Sequence, residues 1–406
     1  MPLCVARPTG RQALPPAAGD RTLSLRALSP PQADRRSKGE PRLRPLRCRW
    51  EPAWAFDTIP KLVENRPEVA ANPDDFYRLP SQQQTAALTE LARTALPAWG
   101  LPADSSVELL EERENAVFVA TTNDGERFVL RVHRAGYHSD VQLRSHVAWA
   151  RALQRDGVVR TADVIDTTGG EPFTVVSHAA VPERRQVSLL RWAEGIKLSE
   201  LGGGAEQEFG LIGELMAKLH SHAAGWKPPP GFDVLNWDAD GLVGDNPTWG
   251  RFWEADGLDA DDRALMQVFR QRTRRELEEF GASVDRFGLI HCDFLAENLL
   301  VEGDRITLLD FDDAGYGWHL FDIATALAMA TLRDDFENLR GAFLAGYRRQ
   351  CPLPEEHLAR LPLFLALRAS TYVAWMHTRS HTQFAKDLGG FITRAAVDII
   401  RRYLET

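Results

Sequence analysis

Between Leu289 and Ala324 the chain reads LIHCDFLAENLLVEGDRITLLDFDDAGYGWHLFDIA. His291, Asp293, Asn298, Asp310, Asp312 and Asp322 lie there among Leu, Ile, Val and Phe. An unpaired carboxylate in apolar surroundings costs several kcal/mol or takes up a proton, so acids framed this way imply a task. The segment NLLVEGDRITLLD reads as two short apolar strands turning at Glu302-Gly303-Asp304. A turn of two or three residues sets Asn298 opposite Leu309 or Asp310. Either register brings Asn298 and Asp310 together at the open end, with Asp293 just upstream in the same mouth. Two carboxylates and a carboxamide oxygen are hard donors, which suit Mg²⁺ rather than zinc. Magnesium keeps waters and binds through one or two carboxylates plus substrate phosphates, which matches so sparse a set.

The elements that must hold this hairpin fall into two groups. Before it, VELLEERENAVFVATTNDGERFVLRVHR reads as strands, with a turn at Asn123-Asp124-Gly125. A helix is expected over about 139–154, then strands PFTVVSH and RQVSLLRWAEG. From Gln207 onward the pattern is mostly helical, over 207–225, 261–280, 320–348 and 354–403. An earlier helix is expected from an N-cap at Ser81 to Pro97, striped by Leu88, Leu91 and Leu96. The order is a small β-rich part followed by a larger helical part that receives one acidic hairpin.

Composition narrows the class. The first fifty residues carry eleven basic and three acidic side chains, net +8, with eight prolines and little periodicity. They read as a disordered tail. The remaining residues hold 37 basic and 54 acidic side chains, net −17. Attraction to nucleic acid or an anionic membrane is therefore not expected. Cysteines at 4, 48, 292 and 351 show no disulfide or zinc spacing, so a reducing, cytoplasmic setting is expected. The apolar run IATALAMATL is about half the roughly 20 residues a membrane span needs.

HCDFLAENLL resembles the catalytic loop H-x-D-x-x-x-x-N of the aminoglycoside phosphotransferase and choline kinase-like family, and LLDFDDAGYGWHLFDIA resembles its metal segment. The resemblance spans roughly 105–375, and RFVLRVHRAGYHS is similar to the branch with homoserine kinase-like and stress-response Ser/Thr kinase-like members. It implies an α+β, bilobal protein-kinase-like fold: a linker and helix over 51–104, a nucleotide-binding lobe over 105–195, and a catalytic and acceptor-binding lobe over 196–406. It also implies ATP and Mg²⁺ as reactants and a hydroxyl-bearing acceptor, an amino alcohol, homoserine-like or aminoglycoside-like molecule or a protein Ser/Thr. Carried over by position, Asp293 is the base, Asn298 and Asp310 hold metal, Asp312 assists through water, and His291 and Asp322 support the loop. Leu190 and Trp192 fall where the backbone meets an adenine, and Asn115 falls in the phosphate-covering loop. Trp237 and Asp238 are candidates to greet a cationic acceptor.

Two departures bear on activity. The phosphate-facing strand offers Arg131 where the family has Lys, and the following helix offers His146 where an acid normally pairs with that cation. A protonated His146 would repel Arg131, so better function is expected above a pH of about 6.5. Arg131 and His146 favour the rival reading, a pseudokinase that binds nucleotide or protein without efficient transfer. A metal-dependent phosphohydrolase would want further upstream His or Asp ligands, which are not found.

Overall fold

The structure is a computed structural model and describes residues 73–112, 115–380 and 382–406. The expected tail, 1–50, and the start of the 51–104 segment lie outside the described residues. Two short helices open the described chain: α1 (Pro73–Arg78) and α2 (Ser81–Ala95). Ser81 is not the cap expected of it; Pro80 holds that place and Ser81 is the first helical residue. The stripe Leu88, Leu91, Ala92, Ala95 of α2 is buried, and Pro97 brings the helix to an end through a short 3₁₀ turn.

Strands β1 (Ser106–Glu112), β2 (Ala116–Thr121) and β3 (Arg127–Val132) form a meander, followed by α3 (Asp140–Arg155). Ser139 caps α3 and Gln142 returns the bond, a reciprocal box that fixes where the helix starts. Strands β4 (Arg160–Thr161), β5 (Val164–Ile165), β6 (Thr174–His178), β7 (Val181–Arg191) and β8 (Ile196–Lys197) follow. The first sheet runs β1-β2-β3-β7-β5, with β6 also on β7. Its inner face buries Phe118, Leu130, Val187 and Leu189 against Leu91 and Leu96, a core of its own.

The larger lobe contains α4 (Ala205–Gly225), β9 (Leu235–Trp237), α5 (Ala239–Val243), α6 (Ala260–Phe280) and β10 (Phe287–Ile290). Then come β11 (Leu299–Glu302), β12 (Arg305–Leu308), β13 (Gly315–Trp318), α7 (His319–Leu327), α8 (Phe336–Arg348), α9 (Glu355–Leu358), α10 (Leu361–Thr378) and α11 (Gln383–Leu404). The two long helical spans expected after 320 are thus each broken. Helices α4 and α8 touch backbone to backbone: a Cβ on Gly213 would stand 2.2 Å from the Phe343 carbonyl oxygen. A second core fills this lobe, and it claims Trp149 and Leu153 of α3 as well. No helix among the described residues is long and apolar enough to cross a membrane.

The acidic hairpin is β11–β12, with Leu299 opposite Leu308 and Glu302 opposite Arg305. Of the two registers the sequence allowed, this is the one that faces Asn298 with Leu309, whose N–H donates to the Asn298 carbonyl at 2.8 Å. The hairpin is widened on one edge by β4 and on the other by β8, so chain on both sides of the 195/196 boundary grips it. Gly195 makes that possible: its φ is +140°, and a Cβ there would meet the Val301 carbonyl oxygen at 3.0 Å.

Candidate active site

The loop before β11 is held from beneath. Asp322, fully buried on α7, accepts from the backbone N–H of His291 at 3.2 Å and of Cys292 at 2.9 Å. Behind it, His220 Nε2 lies 2.9 Å from Asp322 Oδ2, and His220 Nδ1 lies 2.8 Å from the Tyr347 hydroxyl. The close packing of α4 on α8 is what aligns Tyr347, His220 and Asp322. Burial alone would raise the Asp322 carboxyl, but its contacts with His220 and His291 together hold it below the usual range. Cys292 adopts φ +66°, a left-handed conformation a non-glycine residue reaches at a cost, and its N–H bond to Asp322 sustains it.

His291 is fully buried and neutral, because burial pushes its imidazole down. Its Nδ1 accepts from the Asp293 N–H at 3.3 Å, so Nε2 carries the proton and donates to the Leu309 carbonyl at 3.2 Å. His291 therefore ties the loop to the strand end beside Asp310; it does not face the mouth. Asp293 does, with its side chain 27% exposed. Its Oδ2 accepts from Asn298 Nδ2 at 2.7 Å, and the same nitrogen donates to the Asp293 carbonyl at 2.9 Å. The amide nitrogen of Asn298 is thus spent on the base, which leaves its carboxamide oxygen for a metal. Burial pushes the Asp293 carboxyl up to about 6; Arg368 opposes the rise and Asp310 adds to it.

On the other side of the mouth, Arg131 Nη1 reaches Asp310 Oδ1 at 3.1 Å and Asp312 Oδ1 at 3.0 Å. Asp310 also takes a left-handed backbone, φ +55°, which turns it out of the strand, and 37% of its side chain stays exposed. Asp312 points inward: its Oδ2 accepts from Asn115 Nδ2 at 2.5 Å. Burial works to raise the Asp312 carboxyl, but Arg131 together with His133, His138 and His146 outweighs it and holds the group well below the carboxylate range.

A model of the phosphotransferase enzyme family matches residues 106–362, more than half of the chain. The chain belongs to the phosphotransferase enzyme family. This membership sets the class of reaction: transfer of the ATP γ-phosphoryl group to a hydroxyl, on a kinase-like bilobal fold. The chain is similar to a microcompartment-associated aminopropanol kinase, 31% identical, with TM-score 0.69, over 77% of this chain and 97% of that one. It is 25% identical to the amicoumacin kinase of Bacillus subtilis (strain 168) over 67% of this chain and 80% of that protein. An amicoumacin kinase solved with AMP-PNP and Ca²⁺ shares the fold, with TM-score 0.62 and 19% identity over 81% of this chain and 95% of that one.

Within this phosphotransferase, the residues expected at the site divide. His291, Asp293, Asn298, Asp310 and Asp322 come together. Arg131 reaches the metal segment, but its expected partner does not meet it. His146 is buried on α3, and the guanidinium takes Asp310 and Asp312 instead. Burial also holds the His146 imidazole down at about 3, so the expected protonation near 6.5 is overturned. Asn115 is spent on Asp312 and on the Arg134 N–H, at 3.1 Å, so its side chain anchors and does not reach for phosphate. Asp312 is likewise an anchor of Arg131 and Asn115. Leu190 pairs with Val129 and Val164 and lines the cleft beside Arg131. Its neighbour Arg191 spends its N–H on the Asp163 carbonyl, while the Trp192 ring lies under Arg127 at 4.3 Å.

The acceptor candidates are corrected outright. Trp237 is fully buried, its ring near Trp249 and Phe321 and its Nε1 donating to the Asp313 carbonyl, so no face is open to a cation. Asp238 caps α5 by accepting from the Gly241 N–H at 2.8 Å. In their place stands Arg368 of α10, 1% exposed, with Nη2 3.8 Å from Asp293 Oδ1. Its guanidinium lies over Trp249, Tyr372 and Phe321, at 4.8, 4.6 and 5.8 Å. The signal was in the sequence: Arg368 is the one charged residue in the mostly apolar run LPLFLALRASTYVAW. A buried Arg there needs a partner.

Proposed function

We propose that the chain transfers the γ-phosphoryl group of magnesium-bound ATP to the hydroxyl of a small molecule, with an amino alcohol as the first class to test. The observation that carries this is the Asp293 carboxyl, held by Asn298 at 2.7 Å and faced by a buried guanidinium at 3.8 Å, at the same mouth as Asp310. Asp293 accepts the acceptor's hydroxyl proton as its oxygen attacks the γ-phosphorus, and the β–γ bridging oxygen leaves with ADP. Arg131 supplies positive charge at the phosphates once it leaves the carboxylates. The donor set fits Mg²⁺: a half-exposed Asp310 carboxylate and the Asn298 carboxamide oxygen are hard ligands, and the ion would neutralise phosphate charge between them. The small-molecule acceptor is supported by the 31% identity with an aminopropanol kinase.

One observation favours the weaker-activity reading: Arg131 is engaged by both Asp310 and Asp312, so ligand binding must first free it. A screen of hydroxyl acceptors with γ-labelled ATP and Mg²⁺ decides between the two. Labelled product from an amino alcohol supports the kinase. ATP binding without transfer to any acceptor would sink it in favour of the nucleotide-binding module.

A further inference from the structure

Helix α3 lacks the acid that the family sets opposite the strand cation, and what stands there is a group of imidazoles. His138, just ahead of the helix, and His146, two turns into it, face each other with ring centroids 4.8 Å apart and planes at 87°. Asp312 completes the group: one ring nitrogen from each histidine and one Asp312 oxygen all lie within 4.8 Å of one another. All three residues are buried, at 6, 4 and 8% exposure. His133 adds a fourth donor, with Nδ1 3.9 Å from Asp312 Oδ2 while Nε2 sits 2.9 Å from the Ser188 hydroxyl. His133 Nδ1 makes no hydrogen bond, and His146 has only a backbone contact with Ala314, which leaves one ring nitrogen open on each of these two. Buried polar atoms left unpaired are costly, so their presence calls for an occupant.

We propose that His138, His146 and Asp312 form a binding site for one transition-metal ion of the zinc type, separate from the magnesium-nucleotide site. Two or three imidazoles with a carboxylate are the ligand set that zinc takes and magnesium does not. Zn–N and Zn–O bonds of about 2.0–2.2 Å require the donor atoms to close by about 1 Å. The local charge allows it: Asp310 and Asp312 outweigh Arg131 by one, so a dication is not repelled by the surroundings. Asp312 has lone pairs beyond those facing Arg131 and Asn115. The three donors come from the loop before α3, from α3 itself and from the segment after β12. A bound ion therefore clamps α3 to the metal segment, the task that a glutamate–cation pair performs elsewhere in the family. The site stands independently of the acceptor chemistry.

The test uses the full chain, stripped with a chelator and titrated with Zn²⁺ and, separately, Co²⁺. The expected result is one Zn²⁺ per chain, bound more tightly than about 1 µM and not displaced by millimolar Mg²⁺. Co²⁺ should show the absorption of a four- or five-coordinate ion with nitrogen ligands. His146→Gln and His138→Gln should each weaken Zn²⁺ binding by more than about 100-fold while circular dichroism stays that of the parent. Because a variant can fail to fold, the parent's stoichiometry and Co²⁺ spectrum stand as a separate criterion. Less than half an equivalent of Zn²⁺ on the parent, an octahedral Co²⁺ spectrum, or folded variants with unchanged affinity would overturn the site. Phosphoryl transfer by the stripped enzyme with Mg²⁺ alone is measured in parallel. Transfer without zinc uptake defeats only this proposal, and zinc uptake without transfer defeats only the kinase.

Discussion

The two sides of the catalytic mouth are built on different principles. On the hairpin side, most contacts that hold the loop run from a side chain to main chain: Asp322 to two N–H groups, His291 to a carbonyl and an N–H, Asn298 to a carbonyl, with the Asn298–Asp293 side-chain bond the exception at the base itself. On the sheet side, side chain holds side chain, through Arg131, Asp310, Asp312 and Asn115. The first arrangement needs only that the motif residues be present. The second depends on which partners happen to stand on neighbouring elements, and here the usual partner is a histidine. The hairpin side is therefore pre-set for chemistry, whereas the cation is held by carboxylates that the reaction also requires.

The sharpest way to break the comparison is at the base. Asp293→Asn removes the proton acceptor but keeps a partner for Asn298, so transfer should fall by roughly 10²–10⁴-fold while ATP affinity holds. Single-turnover rates and equilibrium nucleotide binding on the same preparation check this; full activity would remove Asp293 from the mechanism. The parent's kcat/KM should rise as pH passes through about 6, because the carboxyl lifted by burial must ionise to act. The linkage runs the other way for stability. A folded-state value of about 6 lies above the unfolded carboxylate's, about 3.9, so the fold favours the proton. That contribution is fully present below about pH 4 and is lost as pH rises through about 6. A rate profile flat from pH 5 to 8 would contradict the assignment.

Asp310→Ala should act on both sides at once. It deletes a hard ligand and leaves Arg131 on Asp312 alone, so magnesium-dependent nucleotide affinity and transfer should both fall, transfer by roughly 10²–10³-fold. Calorimetry with and without Mg²⁺ separates the two; an unchanged affinity for Mg-ATP would take Asp310 out of the metal site.

This contrast also explains how much was legible in the sequence. The hairpin side was readable because its spacing is local: one turn sets Asn298 at the same open end as Asp310, and the structure chose between just two registers, the one that faces Asn298 with Leu309. Asp322 is 31 residues from His291, yet its motif carried it. The sheet side was not readable. Asn115 meets Asp312 across 197 residues, and Arg131 meets Asp310 across 179. Nothing in local period says that an inward-turned Asp312 will claim both. Trp237 and Asp238 were misread because an aromatic, acidic loop looks alike whether it lines a cleft or packs as a strand and a helix cap. Arg368 was missed because its helix was read for apolar period and not for the exception to it.

Arg131→Ala should cost stability more than the comparable change on the exposed rim. Arg131 is 16% exposed and Asp312 is 12% exposed, so the variant leaves a nearly buried carboxylate without its cation. Breaking such a pair from one side costs about 3 kcal/mol. Arg127→Ala, which loses an ion pair 45% exposed on the Arg side, should change stability by less than about 1 kcal/mol. Denaturant melts of both variants give the comparison; equal midpoints would mean that Asp312 is not anchored by Arg131.

The smallest expected effect comes from rebuilding the sheet side in the image of the family. His146→Glu places a carboxylate on α3, in the cleft that Arg131 already lines. Arg131 Nε is buried there without a hydrogen-bond partner, so the new acid has a donor to meet. A guanidinium drawn toward α3 relaxes its hold on Asp310, and Asp310 becomes freer to take a metal. Two costs oppose this gain: the new charge is desolvated, and it adds an anion near Asp312. The balance should be a rise in Mg-ATP affinity of a few-fold, less than about 1.4 kcal/mol in total, since tenfold corresponds to that energy. The gain should be the same at pH 6 and pH 8. His146 is held neutral down to about pH 3 by burial, so no imidazolium is present in that window to be relieved. Nucleotide affinity for both proteins across pH 6 to 8 measures it. An advantage confined to pH 6 would mean that His146 protonates after all, and an affinity below the parent's would mean that Arg131 cannot leave Asp310 for α3.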